Sequence, residues 1–165
     1  MRDISLTPIH QHDNGEDALD LATRAADYVV LEVGHAPDAA YIDDFFTAVP
    51  PGLDATCLLH FGIMQDRAMT GMVCIARGYE YETDWWIGLM LLDPAFRGQG
   101  IGHQVVAELA QRAQQQHITA LKLAVLAANP RALRFWQREG FVHHRDAPAL
   151  PESDGHDRVV LKRVL

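Results

Sequence analysis

Apolar residues recur along this chain with two spacings, and each spacing predicts a different element. Short alternating or continuous apolar runs predict strands, at residues 3–9, Cys57–Met64, Ala68–Ala76, Trp85–Leu92, Leu121–Val125, from Phe141 onward, and at Arg158–Leu165. Apolar positions three and four residues apart predict helices, at Asp17–Val33, Ala39–Val49, Gly100–Gln116 and Arg131–Arg138. This order predicts an α/β (α+β) fold, a mixed sheet with helices on both faces.

A glycine-rich turn separates the fourth strand from the helix that follows it. Residues 97–102 read Arg-Gly-Gln-Gly-Ile-Gly and follow the apolar run that ends at Leu92. Glycine lets the backbone approach a ligand closely, and the free N–H groups of a first helical turn attract anions. The turn therefore predicts a phosphate-binding site.

Three kinds of phosphate site compete for this turn. A dinucleotide-binding fold has Gly-x-Gly-x-x-Gly, and the glycines at 98, 100 and 102 do not have that spacing. A nucleotide P-loop ends in Gly-Lys followed by Ser or Thr, an ending that residues 97–102 lack. The third kind holds the pyrophosphate of coenzyme A.

Two segments resemble one known family, the GNAT superfamily of N-acetyltransferases. The first, Arg97-x-x-Gly100-x-Gly102, matches that superfamily's pyrophosphate loop, and the preceding Leu92-Asp93-Pro94 and Phe96 match its usual lead-in. The second, Asn129-x-x-Ala132-x-x-Phe135-Trp136-x-x-x-Gly140-Phe141, is similar to the superfamily's second motif, at a typical distance from the first. The resemblance covers residues 86–142, and the N-terminal half agrees only in the order of its elements.

The resemblance implies a GNAT-like, largely antiparallel sheet of six or seven strands and about four helices, whose central strands splay apart. Acetyl-CoA would be the co-substrate, with its pantetheine arm in the gap and a strand N–H polarising the thioester carbonyl. The turn's amides would hold the pyrophosphate, Arg97 would add a charge-assisted contact, and Asn129 would cap its helix and contact the arm. The residues expected to bind the coenzyme are Met90, Leu91, Leu92, Arg97, Gly98, Gln99, Gly100, Ile101, Gly102 and Asn129.

The groups that move protons are harder to find in the sequence. In many relatives a tyrosine in the second motif protonates the departing sulfur, and here that position holds Trp136, whose indole is not a useful acid. Strand alternation would place Asp84 on the same face as Met90 and Leu92. We therefore expect Asp84 to be the first candidate for the general base and Glu82 the next. Glu80 and His60 are further candidates.

The acceptor is expected to approach from the loops near Tyr79–Asp84 and Tyr41–Pro51, where Tyr79, Tyr81, Trp85 and Trp86 would build an aromatic pocket. Each of these side chains also has an ordinary structural role open to it. The acceptor itself, a small-molecule or peptide amine, is not visible in the sequence.

Composition narrows the range of partners. With 165 residues and 48% hydrophobic content, the chain suits a single domain over residues 1–165. Its 14 Lys and Arg against 22 Asp and Glu give a net charge of −8, which predicts neither nucleic acid nor an anionic membrane as a partner. Cys57 and Cys74 lie in apolar runs and are expected to be inert thiols. The histidines lack metal-site spacing, so we expect no metal.

The sequence also shows neither an apolar leader nor a run of about 20 apolar residues that could span a bilayer, which predicts a cytoplasmic protein.

We predict an enzyme that moves an acetyl group from acetyl-CoA to an amine by direct attack in a ternary complex. The missing tyrosine motivates an alternative, a non-catalytic acyl-CoA-binding or regulatory domain. The closing strand is a candidate edge for pairing with a second chain in a homodimer.

Overall fold

A computed structural model describes residues 3–149 and 155–165. The strands are β1 Ser5–Pro8, β2 Leu58–Gln65, β3 Ala68–Arg77, β4 Asp84–Leu92, β5 Ala120–Leu126, β6 Val142–Ala147 and β7 Arg158–Val164. The α-helices are α1 Gln11–Arg24, α2 Ala26–Val33, α3 Ala39–Thr47, α4 Ile101–Gln115 and α5 Pro130–Arg138. One sheet has the order β1-β2-β3-β4-β5-β7-β6, and its strand pairs are antiparallel except β4 with β5. The predicted mixed, largely antiparallel sheet is confirmed.

Each face of the sheet is covered by its own hydrophobic cluster. Val105 and Leu109 of α4 and Trp136 of α5 pack on one face. Leu21 of α1 and Ile42 of α3 pack on the other face, together with residues of α2. Burial of apolar side chains on both faces is the main force that stabilises such a layered fold, and it confirms the predicted placement of helices on both faces.

The helix predicted for Asp17–Val33 is two helices in the structure. The first begins at Gln11, six residues before the predicted start, and Ala25 (φ −98°, ψ 27°) separates it from the second. Ala25 is itself buried in the same cluster as its neighbours, so the apolar spacing continues across the break. No glycine or proline marks the interruption, which is why the sequence pattern hides it.

The central strands β4 and β5 pair along only half of their length. The parallel pairing joins Asp84–Ile87 to Ala120–Leu123 and goes no further. Beyond this point β4 stays with β3 and β5 stays with β7, so the two strands diverge. We call the paired segments the closed end, and residues 88–92 and 124–126 the open end. This confirms that the central strands are splayed.

A β-bulge lies where the closed end of β4 meets the open end. The pairing with β3 passes from Leu89 opposite Cys74 to Ile87 opposite Ile75 and skips Gly88. An extra residue in one strand reverses the alternation of side chains beyond it. Glycine is required here because a Cβ at Gly88 would lie 2.9 Å from the Cys74 sulfur.

The bulge overturns one expectation about faces. Ile87, before the bulge, and Met90 and Leu92, after it, all pack against the cluster under α4 and α5. Asp84 alternates with Trp85, which is in that same cluster, and so faces the opposite side. The expectation that Asp84 shares a face with Met90 and Leu92 is therefore wrong.

The closing strand also differs from expectation. β7 lies between β5 and β6 and pairs with both, so it offers no free edge to a second chain. On that side of the sheet the edge strand is β6.

Candidate functional site

The divergence of the central strands creates a cleft of about 470 Å³. Its walls are the open ends of the two strands, with Ile87 and Leu123 at the point where they separate. Helix α2 contributes Asp27, Tyr28 and Leu31 to the lining, and α5 and the glycine-rich turn complete it. The main-chain groups of Gly88–Leu92 that face away from β3 thus border a cavity instead of a neighbouring strand.

The glycine-rich turn forms the mouth of the cleft. Asp93 accepts a hydrogen bond from the Ala95 amide at 2.9 Å and fixes the short 3₁₀ turn that leads into it. Gly98 (φ +74°) and Gly100 (φ +82°) adopt left-handed conformations with open space around the Cβ position. Glycine is therefore needed for backbone conformation. Gly100 is the N-cap of α4, whose first-turn amides have no carbonyl partner within the helix.

A third glycine of the turn serves packing. A Cβ on Gly102 would lie 2.9 Å from two ring carbons of Phe135. The absence of a side chain therefore lets α4 approach α5 closely at the floor of the cleft, where both residues are part of the lining.

Arg97 connects three elements around the mouth. Its Nε donates to the Leu92 carbonyl at 3.0 Å, and its Nη2 donates to Asp27 Oδ1 at 3.0 Å. The hydrogen bond from Arg97 outweighs partial burial and holds the pKa of Asp27 below its usual range. The guanidinium, bound at two edges, joins the end of β4 to α2 and is already ordered before any ligand arrives.

Fixed charges in the cleft have the opposite balance to that of the whole chain. Arg97, Arg131 and Arg138 line it, against two carboxylates, Asp27 and Glu139. The cleft is therefore positive by one charge in a chain whose net charge is −8. Such a local positive field favours an anionic ligand.

The second motif positions two residues at the cleft. Asn129 Oδ1 accepts from the Ala132 amide at 3.1 Å and caps α5, as predicted from the sequence. Trp136 is buried, with its ring edge-on to Phe135 at 5.0 Å and to Phe141 at 5.1 Å. Both Asn129 and Trp136 line the cleft, and the indole supplies packing without an acidic proton.

Most of the residues predicted to bind the coenzyme come together here. The cleft is lined by Met90, Leu91, Leu92, Arg97, Gly98, Gly100, Gly102 and Asn129. Two others are outside the lining: Ile101 is in the core, and the Gln99 side chain donates to the Ala95 carbonyl at 2.6 Å. Their binding roles stay predictions.

The predicted base Asp84 lies in a different environment. Its Oδ2 is 2.8 Å from Nζ of Lys122, a side chain with no exposed surface. Glu80 lies 3.1 Å from the same ammonium and 2.6 Å from Arg145. Burial alone would lower the pKa of Lys122, but its bonds to Asp84 and Glu80 raise it. The four charges form a compensated cluster at the closed end. Neither Asp84 nor the exposed Glu82 lines the cleft, so their catalytic roles stay predictions.

Other candidates are separated by the fold. His60 contacts the rings of Phe45 and Phe46, and its Nε2 is 2.9 Å from the Phe45 carbonyl. Burial lowers the pKa of His60. Trp85 is 1% exposed and belongs to the core, so the expectation that it helps to line an acceptor pocket is wrong. Trp86 instead contacts Tyr79 at 5.2 Å.

The sequence interpretation missed the contribution of α2, whose Asp27, Tyr28 and Leu31 line the cleft. The only signal available was that the first and last of these lie one helical turn apart. Over residues 3–149 and 155–165, no cluster of three His, Cys, Asp or Glu side chains is arranged to hold a metal. Among the helices in those ranges, none has the length and apolar character to cross a bilayer.

Comparison with known proteins agrees with this geometry. The model of the acetyltransferase (GNAT) family matches residues 21–141, and the chain therefore belongs to the GNAT acetyltransferase family. Compared with proteins of curated function, the chain has no significant sequence match.

Solved structures share the fold at low sequence identity. An acetyltransferase from Thermus thermophilus has a TM-score of 0.81 at 21% identity, with 100% of each chain covered. The ribosomal-protein-S18-alanine N-acetyltransferase from Escherichia coli has a TM-score of 0.71 at 16% identity, covering 98% of this chain and 94% of that one. PaiA N-acetyltransferase from Thermoplasma acidophilum, in complex with coenzyme A, has a TM-score of 0.68 at 14% identity, with 99% of each chain covered.

Proposed function

We propose that this protein transfers the acetyl group of acetyl-CoA to the nitrogen of an amine, by direct attack within a ternary complex. The observation that carries the proposal is the cleft itself. An open strand edge leads to a turn whose left-handed glycines and helical N-terminus are suited to an anion, and the fixed charges around it are net positive. Family membership makes acetyl transfer the natural chemistry for such a cleft.

Each part of the cleft has a proposed partner in the co-substrate. The main-chain groups of Gly88–Leu92 hydrogen-bond the pantetheine arm as an added strand would. The amides from Gly98 to Gly102 hold the pyrophosphate, and Arg131 and Arg138 attract the remaining negative charge. Acetyl-CoA supplies the activated carbonyl carbon and the leaving sulfur.

The bulge supports a second proposed role for the strand. Because Gly88 stands out of the ladder with β3, its main chain is placed at the cleft without a side chain in the way. A strand N–H at this point would stabilise the negative charge that develops on the thioester oxygen. The acceptor is proposed to be a small-molecule or peptide amine.

Two observations favour a second candidate, a regulatory domain that binds acyl-CoA without turnover. Trp136 replaces the usual acid, and the ammonium of Lys122 neutralises Asp84. Under this alternative the cleft binds acetyl-CoA but no amine is acetylated.

Titration calorimetry with acetyl-CoA, ATP and NAD tests the binding site. We expect Gly100→Ala to weaken acetyl-CoA binding at least tenfold, because a side chain at φ +82° strains the backbone that presents the amides. Gly52→Ala is the matched control, since Gly52 has φ +85°, equally open space and no place in the cleft lining. Equal loss in both variants, or a preference for ATP or NAD, would contradict the proposal. Thiol release with an amine panel then separates the enzyme from the binding domain.

A further inference from the structure

A histidine and a carboxylate meet at the wall of the cleft, directly after the glycine-rich turn. His103 is the third residue of α4 and Glu139 follows the last residue of α5. Both side chains line the cleft, and His103 Nδ1 lies 2.8 Å from Glu139 Oε2. The pair therefore connects the start of α4 to the end of α5 beside the turn that we propose to hold the pyrophosphate.

The two partners differ sharply in their access to solvent. The side chain of Glu139 is only 11% exposed, whereas that of His103 is 69% exposed. A carboxylate with so little contact with water needs a hydrogen-bond donor or a counter-ion, and the imidazole is in place to serve as either. The Glu139 carbonyl also accepts from Arg163 of β7 at 3.0 Å. Glu139 is thus the anchored partner, and the ring of His103 is the accessible one.

This hydrogen bond determines which nitrogen of His103 can change its protonation. An ionised carboxylate only accepts hydrogen bonds, so Nδ1 carries a hydrogen whether the ring is neutral or cationic. The second nitrogen, Nε2, is then the one that titrates. With a proton, Nε2 is a donor on a cationic ring; without one, it presents a lone pair that repels a phosphate oxygen.

We infer that the protonated ring of His103 binds a phosphate oxygen of acetyl-CoA through Nε2, so that the co-substrate binds more tightly as the pH falls through the range in which histidine titrates. His103 is a binding residue, and Glu139 is a positioning residue that holds the ring and favours its charged form. This inference rests on the part of the proposed function that places acetyl-CoA in the cleft.

The charge balance of the cleft supports this role. Three arginines and two carboxylates line the cleft, so a proton on His103 raises its net charge from plus one to plus two. The same proton places a cation on Glu139, whose negative charge would otherwise oppose an incoming phosphate. Two favourable consequences for an anionic ligand therefore follow from one protonation event.

The other charged groups around the pair keep their charge near neutral pH. Arginine remains cationic throughout the physiological range, and the hydrogen bond from Arg97 holds the pKa of Asp27 below its usual range. Histidine is the side chain that ordinarily changes charge near neutral pH. The charged groups that line the cleft or bond to the pair are Arg131, Arg138 and Glu139 at α5, Arg97 of the turn, Asp27 on α2 and Arg163 on β7.

The test is titration calorimetry with acetyl-CoA from about pH 5.5 to about pH 8.5. We expect His103→Gln to bind about tenfold more weakly than the wild type at the acid end and about equally at the alkaline end, because glutamine is neutral throughout. His103→Lys keeps a positive charge and should bind about tenfold more tightly than the wild type at the alkaline end. A phosphate monoester of the ligand itself titrates near about pH 6, but that contribution is common to all variants and cancels in these ratios.

Proton uptake gives a second measurement that does not depend on the absolute affinity. Calorimetry in two buffers with different enthalpies of ionisation counts the protons taken up on binding. We expect the wild type to take up protons near neutral pH, because a ligand that prefers the charged ring raises its protonation in the complex. Both substitutions of His103 should abolish this uptake. If acetyl-dephospho-CoA gives the same uptake, the pyrophosphate is the group bound, and if only acetyl-CoA does, it is the monoester; either result supports the inference.

Two further variants test the pairing itself. Glu139→Gln removes the counter-ion of the imidazolium and should move the pH dependence of binding to lower pH, whatever its effect on affinity. The matched control is His143→Gln, since His143 Nε2 lies 2.9 Å from Asp146 Oδ1 in an exposed pair on β6 outside the cleft lining. This control should leave the pH dependence and the proton uptake unchanged.

The outcomes separate this inference from the proposed function. The same pH dependence, or the same proton uptake, in the wild type and in His103→Gln would overturn the role of His103 while binding of acetyl-CoA stands. An equal change in His143→Gln would also overturn it, because the effect would then not belong to the cleft. Failure of the wild type to bind acetyl-CoA at any pH would instead overturn the proposed function.

Discussion

The two ends of the β4–β5 pair are built from the same two strands and have opposite characters. At the closed end the strands share hydrogen bonds, and the ammonium of Lys122 is enclosed by the carboxylates of Asp84 and Glu80. At the open end the strands separate around a cleft, and β4 contributes glycine and apolar residues without a carboxylate. Where the strands pair, the charged side chains neutralise one another. Where the strands separate, the charged side chains belong to neighbouring elements such as α2 and α5.

This difference bears on Asp84, the carboxylate of β4 that is the first candidate for the general base. A buried charge is tolerated only when it is paired and hydrogen-bonded. Asp84 meets that condition by pairing with Lys122, so its charge is already compensated in this structure. The carboxylates that line the open end, Asp27 and Glu139, come instead from α2 and from the end of α5.

The largest expected effect concerns the closed end. Lys122→Met leaves Asp84 buried beside an apolar side chain, and removal of one partner of a buried ion pair typically costs about 3–5 kcal/mol. We expect the free energy of unfolding, measured by urea denaturation, to fall by this amount. The cleft should keep its geometry, so acetyl-CoA affinity should hardly change under conditions where the variant is folded.

A matched control lies directly opposite on the next strand. Lys162 of β7 is the register partner of Lys122, but it is only partly buried, so Lys162→Met should change stability by no more than about 0.5 kcal/mol. Combining Lys122→Met with Asp84→Asn should recover part of the loss, since no charge is then left without a partner. A stable Lys122→Met protein that no longer binds acetyl-CoA would reverse the assignment of the two ends.

The features of the fold that could be predicted from the sequence are those determined by residues close together along the chain. The turn at residues 97–102 could be predicted from the sequence because the left-handed conformations at Gly98 and Gly100 require glycine at fixed positions. The cap at Asn129 could be predicted because a helix start also favours particular residues, asparagine among them, at one fixed position. Helices and strands follow from apolar spacing wherever that spacing changes at a boundary, and the missed break at Ala25 lies where it does not change.

The parts that sequence could not predict depend on residues distant along the chain. The bulge at Gly88 requires knowledge of the pairing with Cys74, and one skipped residue is enough to move Asp84 to the other face. The partnership of Asp84 with Lys122 joins residues 38 positions apart, and that of Arg97 with Asp27 joins residues 70 positions apart. Sites formed by side chains from distant segments have no fixed spacing in the sequence. A site formed by the main chain can instead be recognised from its glycines.

A medium effect is expected at the floor of the open end. Gly102→Ala places a Cβ 2.9 Å from the Phe135 ring, and overpacking of this kind costs about 1–3 kcal/mol. We expect a lower thermal midpoint and weaker acetyl-CoA binding, because α4 must move away from α5 and carries the turn with it. Phe135→Leu in the same chain should relieve the contact and restore part of both.

The control for this variant is a glycine inside another helix. At Gly15 of α1 an added Cβ meets only the Gln11 side chain at 3.9 Å. Gly15→Ala should therefore stabilise the protein by about 0.5–1 kcal/mol through helix propensity. If both alanines were stabilising, the close approach of α4 to α5 would have no energetic consequence.

The smallest expected effect concerns the bond between α2 and the mouth of the open end. The Arg97 hydrogen bond lowers the folded-state pKa of Asp27, so the stability that it contributes is present above the unfolded pKa of about 3.9 and is lost as the pH falls through the lower folded value. Because 60% of the Asp27 side chain is exposed, the pair is screened by solvent and should contribute about 0.2–1 kcal/mol. Asp27→Asn should therefore be less stable than the wild type at pH 7, and the two denaturation curves should converge as the pH falls below the folded-state pKa.

High salt should narrow the gap at pH 7 as well, whereas Asp44→Asn, at an exposed position on α3, should show no such convergence. A gap that persisted at low pH would mean that Asp27 stabilises α2 by packing, and that the mouth of the cleft is held by Arg97 and the Leu92 carbonyl alone.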